Sequence, residues 1–407
     1  MSDPRPRVTS LPPSRSSWAV LALVTAACGT ADRADPSATA GSEATAVAFE
    51  APAGPLVIVG GALDGDNDAV YEAILERSQG GGPLCVLPTA SGVPRESMES
   101  AVAAFDRHGG PGTAEGILLA EEDAGLADDP ALAARLEACS GFFFTGGAQS
   151  RVVATFLPAG DTSAALRALT ARHRAGAVVA GSSAGAAMMS RLMIAGGSSD
   201  EALSAGVVGA GPEDAEGIAV RPGLDLFAPA VLDQHFLARG RIARLLVVAL
   251  TVDAPRVGLG IDENTALVVD GATARVEGAS GVVVVDAREA SRTRPGRGTG
   301  VRVTLAGAGD AIDLRTFAGT RADDKSLLTP SRSAPTLPAD PFARWAFLGI
   351  LTELARSEQH EARFELDGAT LRVARGPGFG AFAYEGEGVQ GAPRGFSAGP
   401  FLVDLEG

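Results

Sequence analysis

The sequence predicts an α/β fold, a mainly parallel β-sheet with helices on both faces, followed by a β-rich C-terminal extension. Three observations carry this reading. Short continuous apolar runs alternate with amphipathic stretches from Pro55 onward. Such runs mark strands buried on both faces of a parallel sheet. Glycine-rich turns follow Val59, Phe144 and Ala180, each at the carboxyl end of a predicted strand, where α/β sheets bind ligands. After about Gly260 the texture changes to alternating strands with turn signals.

PLVIVGG (55–61) reads as a buried strand ending in glycines. In DAVYEAILERSQGGG, Val70, Tyr71, Ile74 and Leu75 fall at helical spacing, and a glycine closes the helix. LCVLPTAS (84–91) is a second strand, and Met98, Val102 and Phe105 mark the next helix face. GILLA, GFFFTGG and AVVAG supply further strands. TALVVDGATARVEGASGVVVVD is β-rich, residues 287–300 read as a polar loop, and residues 330–341 hold four prolines and read as a linker or surface crossing. A helix over Phe342–Arg356 and short strands complete the chain.

The 407 residues are 46% hydrophobic, enough for a sizeable core. A formal net charge of −15 argues against a nucleic-acid partner, which requires a basic face. The cations are arginines except Lys325. Met1 to Ser17 is polar and positive, Trp18 to Ala27 is apolar but too short to span a membrane, and Cys28 follows. Residues 1–28 are therefore expected to be an export signal and 29–54 a flexible tether. Export places the protein at the cell envelope, in the periplasm or outside, anchored through a lipid on Cys28 or simply cleaved nearby. A catalytic domain is expected over 55–315 and an extension without recognisable chemistry over 316–407. Cys85 and Cys139 lie in or beside apolar runs and read as two buried thiols, not as a disulfide.

The run VVAGSSAGAAMMS holds Gly181-Ser182-Ser183-Ala184-Gly185, a G-x-S-x-G turn between a strand and a helix. Only small neighbours permit a turn sharp enough to lift the central serine, Ser183, above the sheet. The N–H of Ala184 then points where an oxyanion would form. In a chain with 52 glycines the same string can be simple tight packing. A nucleophilic serine needs a base. His108 and His173 each end a helix before a glycine, and His360 sits in a charged stretch. His235 differs, because it follows an apolar strand directly, behind Asp233 and Gln234. Asp200 and Glu201 offer a carboxylate between serine and histidine, one of the chain orders a catalytic triad adopts.

Four strings in order, FFFTGGAQSR, GSSAGAAMMSRLMIAGG, LDQHFLARGRIARLL and GIDENTALVV, resemble the cyanophycinase and aspartyl dipeptidase family of serine peptidases. The resemblance runs from about Pro55 to about Leu314. It implies a flavodoxin-like sheet, related to that of class I glutamine amidotransferases, with no metal or cofactor, and a homodimer. It implies Ser183 as nucleophile, His235 as base and Glu201, preferred to Asp200, as the acid. It places the oxyanion at the N–H groups of Ala184 and Gly147. For the substrate it implies Gln149, Asp233, Gln234, Arg239, Arg241 and Arg244. The substrate would be cyanophycin, a poly-aspartate backbone carrying arginine on its side chains, or a β-aspartyl peptide. Guanidinium forks suit its carboxylates. Ala148 departs from the family's aspartate in GGDQ. Three other readings stand beside this one. His108-Gly109-Gly110-Pro111-Gly112 copies an oxyanion string of α/β-hydrolase esterases, though it follows a helix and reads better as a helix end. A related isoaspartyl peptidase and an inactive binding lipoprotein are the others.

Overall fold

The structure is a computed structural model that describes residues 49–78, 80–209 and 216–407. The expected export signal, Cys28 and most of the tether lie outside the described residues. In chain order the first half contains strands β1 (Leu56–Val59), β2 (Leu84–Leu87), β3 (Ala114–Gly116), β4 (Gly141–Phe144) and β5 (Val178–Ser182). Between and after them lie helices α1 (Asp68–Arg77), α2 (Pro94–Gly109), α3 (Pro130–Glu137), α4 (Gln149–Phe156), α5 (Ala164–Arg174) and the single turn α6 (Ala184–Ala187). The helix starts are encoded locally. Pro94 and Pro130 occupy first-turn positions that need no donor, Asp129 caps Ala131 and Ser163 caps Leu166.

The first sheet has nine strands. Its central run β1-β5-β4-β2-β3 is wholly parallel. Alternation along each strand feeds two cores. Val57 and Val59 face Tyr71, Ile74 and Phe105 of α1 and α2. Leu56 and Ile58 face the opposite layer, with Leu136, Phe156 and Leu169 of α3, α4 and α5. Helices on both faces are what the apolar runs imply. Antiparallel strands β11 (Thr265–Asp270), β12 (Thr273–Gly278), β16 (Ala311–Asp313) and β17 (Gly319–Thr320) extend the sheet beyond β1.

A three-stranded sheet, β6-β8-β7, uses β6 (Leu192–Ile194), β7 (Val207–Gly209) and β8 (Ile218–Pro222), with α7 (Ser199–Ser204) between the first two. The second nine-stranded sheet begins with β9 (Val231–Asp233) and, after α8 (Ile242–Thr251), β10 (Val257–Ile261). It continues through β13 (Gly281–Asp286), β14 (Ser291–Arg294) and β15 (Arg297–Gly307). It is completed by β18 (Ser326–Leu327), β19 (Glu361–Leu366), β20 (Ala369–Ala383) and β21 (Ser397–Glu406), with α9 (Ala346–Arg356) packed on it. Only β9 and β10 run parallel there.

The extension over 316–407 is built into the second sheet: it supplies β21, which pairs with β15, and the described residues form one compact unit. Two expectations change. The stretch 287–300 is mostly a β14–β15 hairpin rather than a loop. Cys85 of β2 and Cys139, just before β4, are joined in a disulfide with Cα atoms 5.7 Å apart, not two free thiols. Their strands are direct neighbours, which brings together cysteines separated by 54 residues in the chain.

Candidate active site

The two sheets meet where β10 hands over to β11. The turn Asp262-Glu263-Asn264 leaves the second sheet and enters the first, beside the carboxyl ends of β1 and β5. Ser183, His235 and Glu263 converge there.

Ser183 follows β5 with φ 58° and ψ −111°, a conformation L-residues rarely adopt. The turn is held by Ser183 N–H donating to Val59 O at 3.0 Å. A Cβ on Gly181 would collide with the Gly185 carbonyl, and one on Gly185 with that of Phe144. The G-x-S-x-G spacing is therefore a steric requirement of this turn. Ser182, by contrast, still belongs to β5.

His235 follows β9, also at positive φ (48°), with its N–H donating to Gly60 O at 2.6 Å. Its ring lies flat against Gly61, where any side chain would displace it. The next turn is clamped by the buried carboxylate of Asp262. That carboxylate accepts from Leu237 N–H and Ala238 N–H at 3.1 and 3.0 Å and from Ser280 Oγ at 2.7 Å. Burial pushes the Asp262 carboxyl up to about 6.

His235 Nε2 lies 2.8 Å from Ser183 Oγ, and its Nδ1 lies 2.7 Å from Glu263 Oε1. The partners assign the tautomer: Nδ1–H donates to the carboxylate, leaving Nε2 to accept from the serine. Burial holds the imidazole below its ordinary 6.5; the Glu263 hydrogen bond opposes this, and Arg239 and Arg241 add to the lowering. Gln234 Oε1 is 3.5 Å from Ser183 Oγ, and Arg239 Nη2 is 3.3 Å from His235 Nε2 with its side chain half exposed.

Glu201, the expected acid, is not at the imidazole. It is the third residue of α7 in a capping box: Ser198 N–H donates to its Oε2 at 2.6 Å, and its own N–H donates to Ser198 Oγ. Asp200 is exposed in the same first turn. The carboxylate on His235 is Glu263, so the chain order is serine, histidine, acid. The signal was in view: GIDENTALVV places acidic residues directly after an apolar strand, at the same end of the sheet.

The expected substrate residues divide. Gln234 and Arg239 are at the serine and histidine. Arg244 and Asp233 are buried, and form a two-pronged ion pair with Nε–Oδ2 at 2.7 Å and a shorter Nη2–Oδ1 contact. Arg244 also donates to Gly197 O at 2.6 Å. Both are occupied in holding β9, α8 and the β6–α7 loop together. Arg241 donates to Gln234 O at 2.6 Å, and burial followed by the neighbouring Arg244 cation pushes it down to about 10. Gln149 is buried and donates through Nε2 to Ile194 O and Ala195 O at 2.9 and 3.1 Å. Gly147 lies in the turn after β4, against Ala90, and Ala148 N–H donates to Ala90 O.

The other histidines are elsewhere. His108 ends α2, stacks on Tyr71 at 4.2 Å and reaches Gly65 O at 3.0 Å, while Gly110 at φ 93° closes the helix. HGGPG is thus a helix end. His173 is buried with Nδ1 3.0 Å from Ala177 O, and His360 is exposed before β19.

A serine, an imidazole and a carboxylate in line at the carboxyl edge of an α/β sheet are the layout of a serine hydrolase. The sequence matches Peptidase family S51 over residues 56–277, and the chain belongs to that family. It is 32% identical over 231 residues to a cyanophycinase of Synechococcus elongatus, covering 54% of this chain and 66% of that one, just under two thirds of its length. A cyanophycinase of Geminocystis herdmanii is 31% identical over 243 residues, covering 57% of this chain and 83% of that protein. Among solved structures, a peptidase from an acI-B1 Actinobacterium aligns at TM-score 0.46 and 19% identity, over 65% of this chain and 97% of that one. A putative peptidase E from Listeria monocytogenes aligns at TM-score 0.38 and 15% identity, over 56% and 99%.

Proposed function

We propose that this chain is an exported serine exopeptidase that hydrolyses cyanophycin to β-Asp-Arg dipeptides. The observation that carries the reading is the unbroken chain Ser183–His235–Glu263, with contacts of 2.8 and 2.7 Å. Ser183 Oγ attacks the scissile carbonyl while His235 Nε2 takes its proton. Glu263 keeps the ring in the required tautomer and offsets the imidazolium charge. The N–H groups of Ala184 and Gly147 receive the oxyanion. His235 returns the proton to the leaving amine, and water releases the acyl group by the reverse steps. Arg239, half exposed beside Nε2, is the expected arginine best placed to meet a substrate carboxylate. Gln234 borders the same space.

Export and either lipidation at Cys28 or simple cleavage belong to the same proposal. The Cys85–Cys139 disulfide is consistent with an oxidising compartment. Among the described residues no helix is long and apolar enough to cross a membrane. A homodimer follows from the family resemblance alone.

The test is to incubate the protein with cyanophycin and a panel of β-aspartyl peptides and read the products by mass. Ser183→Ala is expected to release nothing, while Ser182→Ala keeps most activity. Dipeptide release by Ser183→Ala, or its loss in Ser182→Ala alone, would displace the nucleophile assignment. Turnover of β-aspartyl peptides without turnover of the polymer would favour the isoaspartyl peptidase.

A further inference from the structure

The segment 342–345 lies outside the stretch 56–277 that matches the family, yet it reaches the triad. Arg344 Nη2 stands 3.4 Å from Glu263 Oε2, the carboxylate oxygen that His235 does not use. Glu263 is thus held from both sides. Oε1 faces the imidazole, with Arg239 Nε 3.9 Å away, and Oε2 faces Arg344. Arg344 does not sit on a loose tail. Asp340 accepts Phe342 N–H at 2.8 Å, and buried Phe342 packs into the core of the second sheet. Trp345 turns through the left-handed region (φ 63°, ψ 0°) and donates its N–H to Leu237 O at 3.0 Å, within the turn that follows His235. α9 then begins and is buried along Phe347, Ile350, Leu351 and Leu354. The guanidinium lies 5.9 Å from the Trp345 ring centroid, which gives it a second contact.

We infer that Arg344 is a positioning residue for the catalytic carboxylate, supplied by the C-terminal region. By occupying Oε2 it restrains rotation of Glu263 about its terminal bond and keeps Oε1 on Nδ1. This rests on the triad reading above, and it says nothing of which substrate is cleaved.

The test therefore uses a probe that needs no substrate recognition. A fluorophosphonate acylation mimic reports the reactivity of Ser183: the serine oxygen bonds to phosphorus, fluoride leaves and His235 takes the proton. Labelling rates are measured for wild type, Arg344→Gln, Arg344→Lys, Glu263→Gln and the double variant Arg344→Gln/Glu263→Gln. The Arg344 side chain is 68% exposed although Glu263 is not, so Arg344→Gln should slow labelling by about three- to fivefold. Arg344→Lys should return to within about twofold of wild type. In the Glu263→Gln background the Arg344→Gln change should add nothing, since there is no carboxylate left to hold. Wild-type labelling by Arg344→Gln, or an equal loss in both backgrounds, overturns the role of Arg344 alone. Wild-type labelling by Glu263→Gln overturns the triad reading and the role of Arg344 with it.

Discussion

Replacing Glu263 by Gln changes one atom and removes one charge. His235 and Glu263 side chains are 7% and 17% exposed, so water screens their interaction poorly. When His235 takes the serine proton, an imidazolium forms against the carboxylate. At a charge separation of about 4 Å and an effective dielectric constant of about 20, that attraction is about 4 kcal/mol. With about 1.4 kcal/mol per factor of ten, kcat should fall about a thousandfold. A glutamine can also turn its NH2 group to Nδ1. That moves the ring proton to Nε2 and leaves Ser183 without an acceptor, which deepens the loss. The matching control is Glu201→Gln. It keeps an acceptor for the α7 capping box while removing the charge, costs well under about 1 kcal/mol of stability, and leaves kcat near wild type. The assay is kcat on cyanophycin, with thermal unfolding to show that both variants are folded. If Glu263→Gln stays within tenfold of wild type, or if Glu201→Gln falls as far, the carboxylate has been assigned wrongly.

Arg244→Gln should act on stability rather than on KM, because it leaves the buried Asp233 charge with only Arg241 at 3.5 Å and Gln234 N–H. The loss should fall below the roughly 3–5 kcal/mol of a fully stranded buried charge, and is read as a drop in the urea midpoint. The acid limb of kcat/KM should have its midpoint below the ordinary 6.5, because burial disfavours the imidazolium and keeps the base neutral to lower pH. Arg239→Gln, which removes a cation that lowers His235, should move that limb upward; a limb above 6.5 in wild type would contradict the burial argument. Reducing the Cys85–Cys139 bond frees the 54-residue separation it closes and should lower unfolding free energy by about 4 kcal/mol, with labelling of Ser183 unchanged at 25 °C.

Four of the five parallel strands were legible because each is a continuous apolar run; β3 (Ala114–Gly116) is not, and GILLA, expected as a strand, contributes only Gly116 to it. Ser183 and His235 were legible for the same reason, since both stand directly after a strand. The acid was not, because the serine–acid–histidine order drew attention to Glu201, whose local role as a helix cap is equally well encoded by Ser198. Glu263 becomes evident only when the handover from β10 to β11 is known. β9 and β10 look like first-sheet strands, since three to five apolar residues carry no label of the sheet they join. The Asp233–Arg244 pair is a contact across 11 residues, and the disulfide one across 54; neither leaves a spacing pattern to read. Lys325, the lone lysine, gave no sequence signal either. It is buried on Asp310 and Ser397, tying the extension to the first sheet's edge.

The position of β21 ties the C-terminal region to the catalytic one. In the second sheet the order is β18-β20-β21-β15-β13-β10-β9, so β21 is an interior strand. β9 and β10, which lead to His235 and Glu263, belong to the sheet in which residues 397–406 lie between β20 and β15. Residues 397–406 thus stitch the region outside the family match into the same sheet that carries His235 and leads to Glu263.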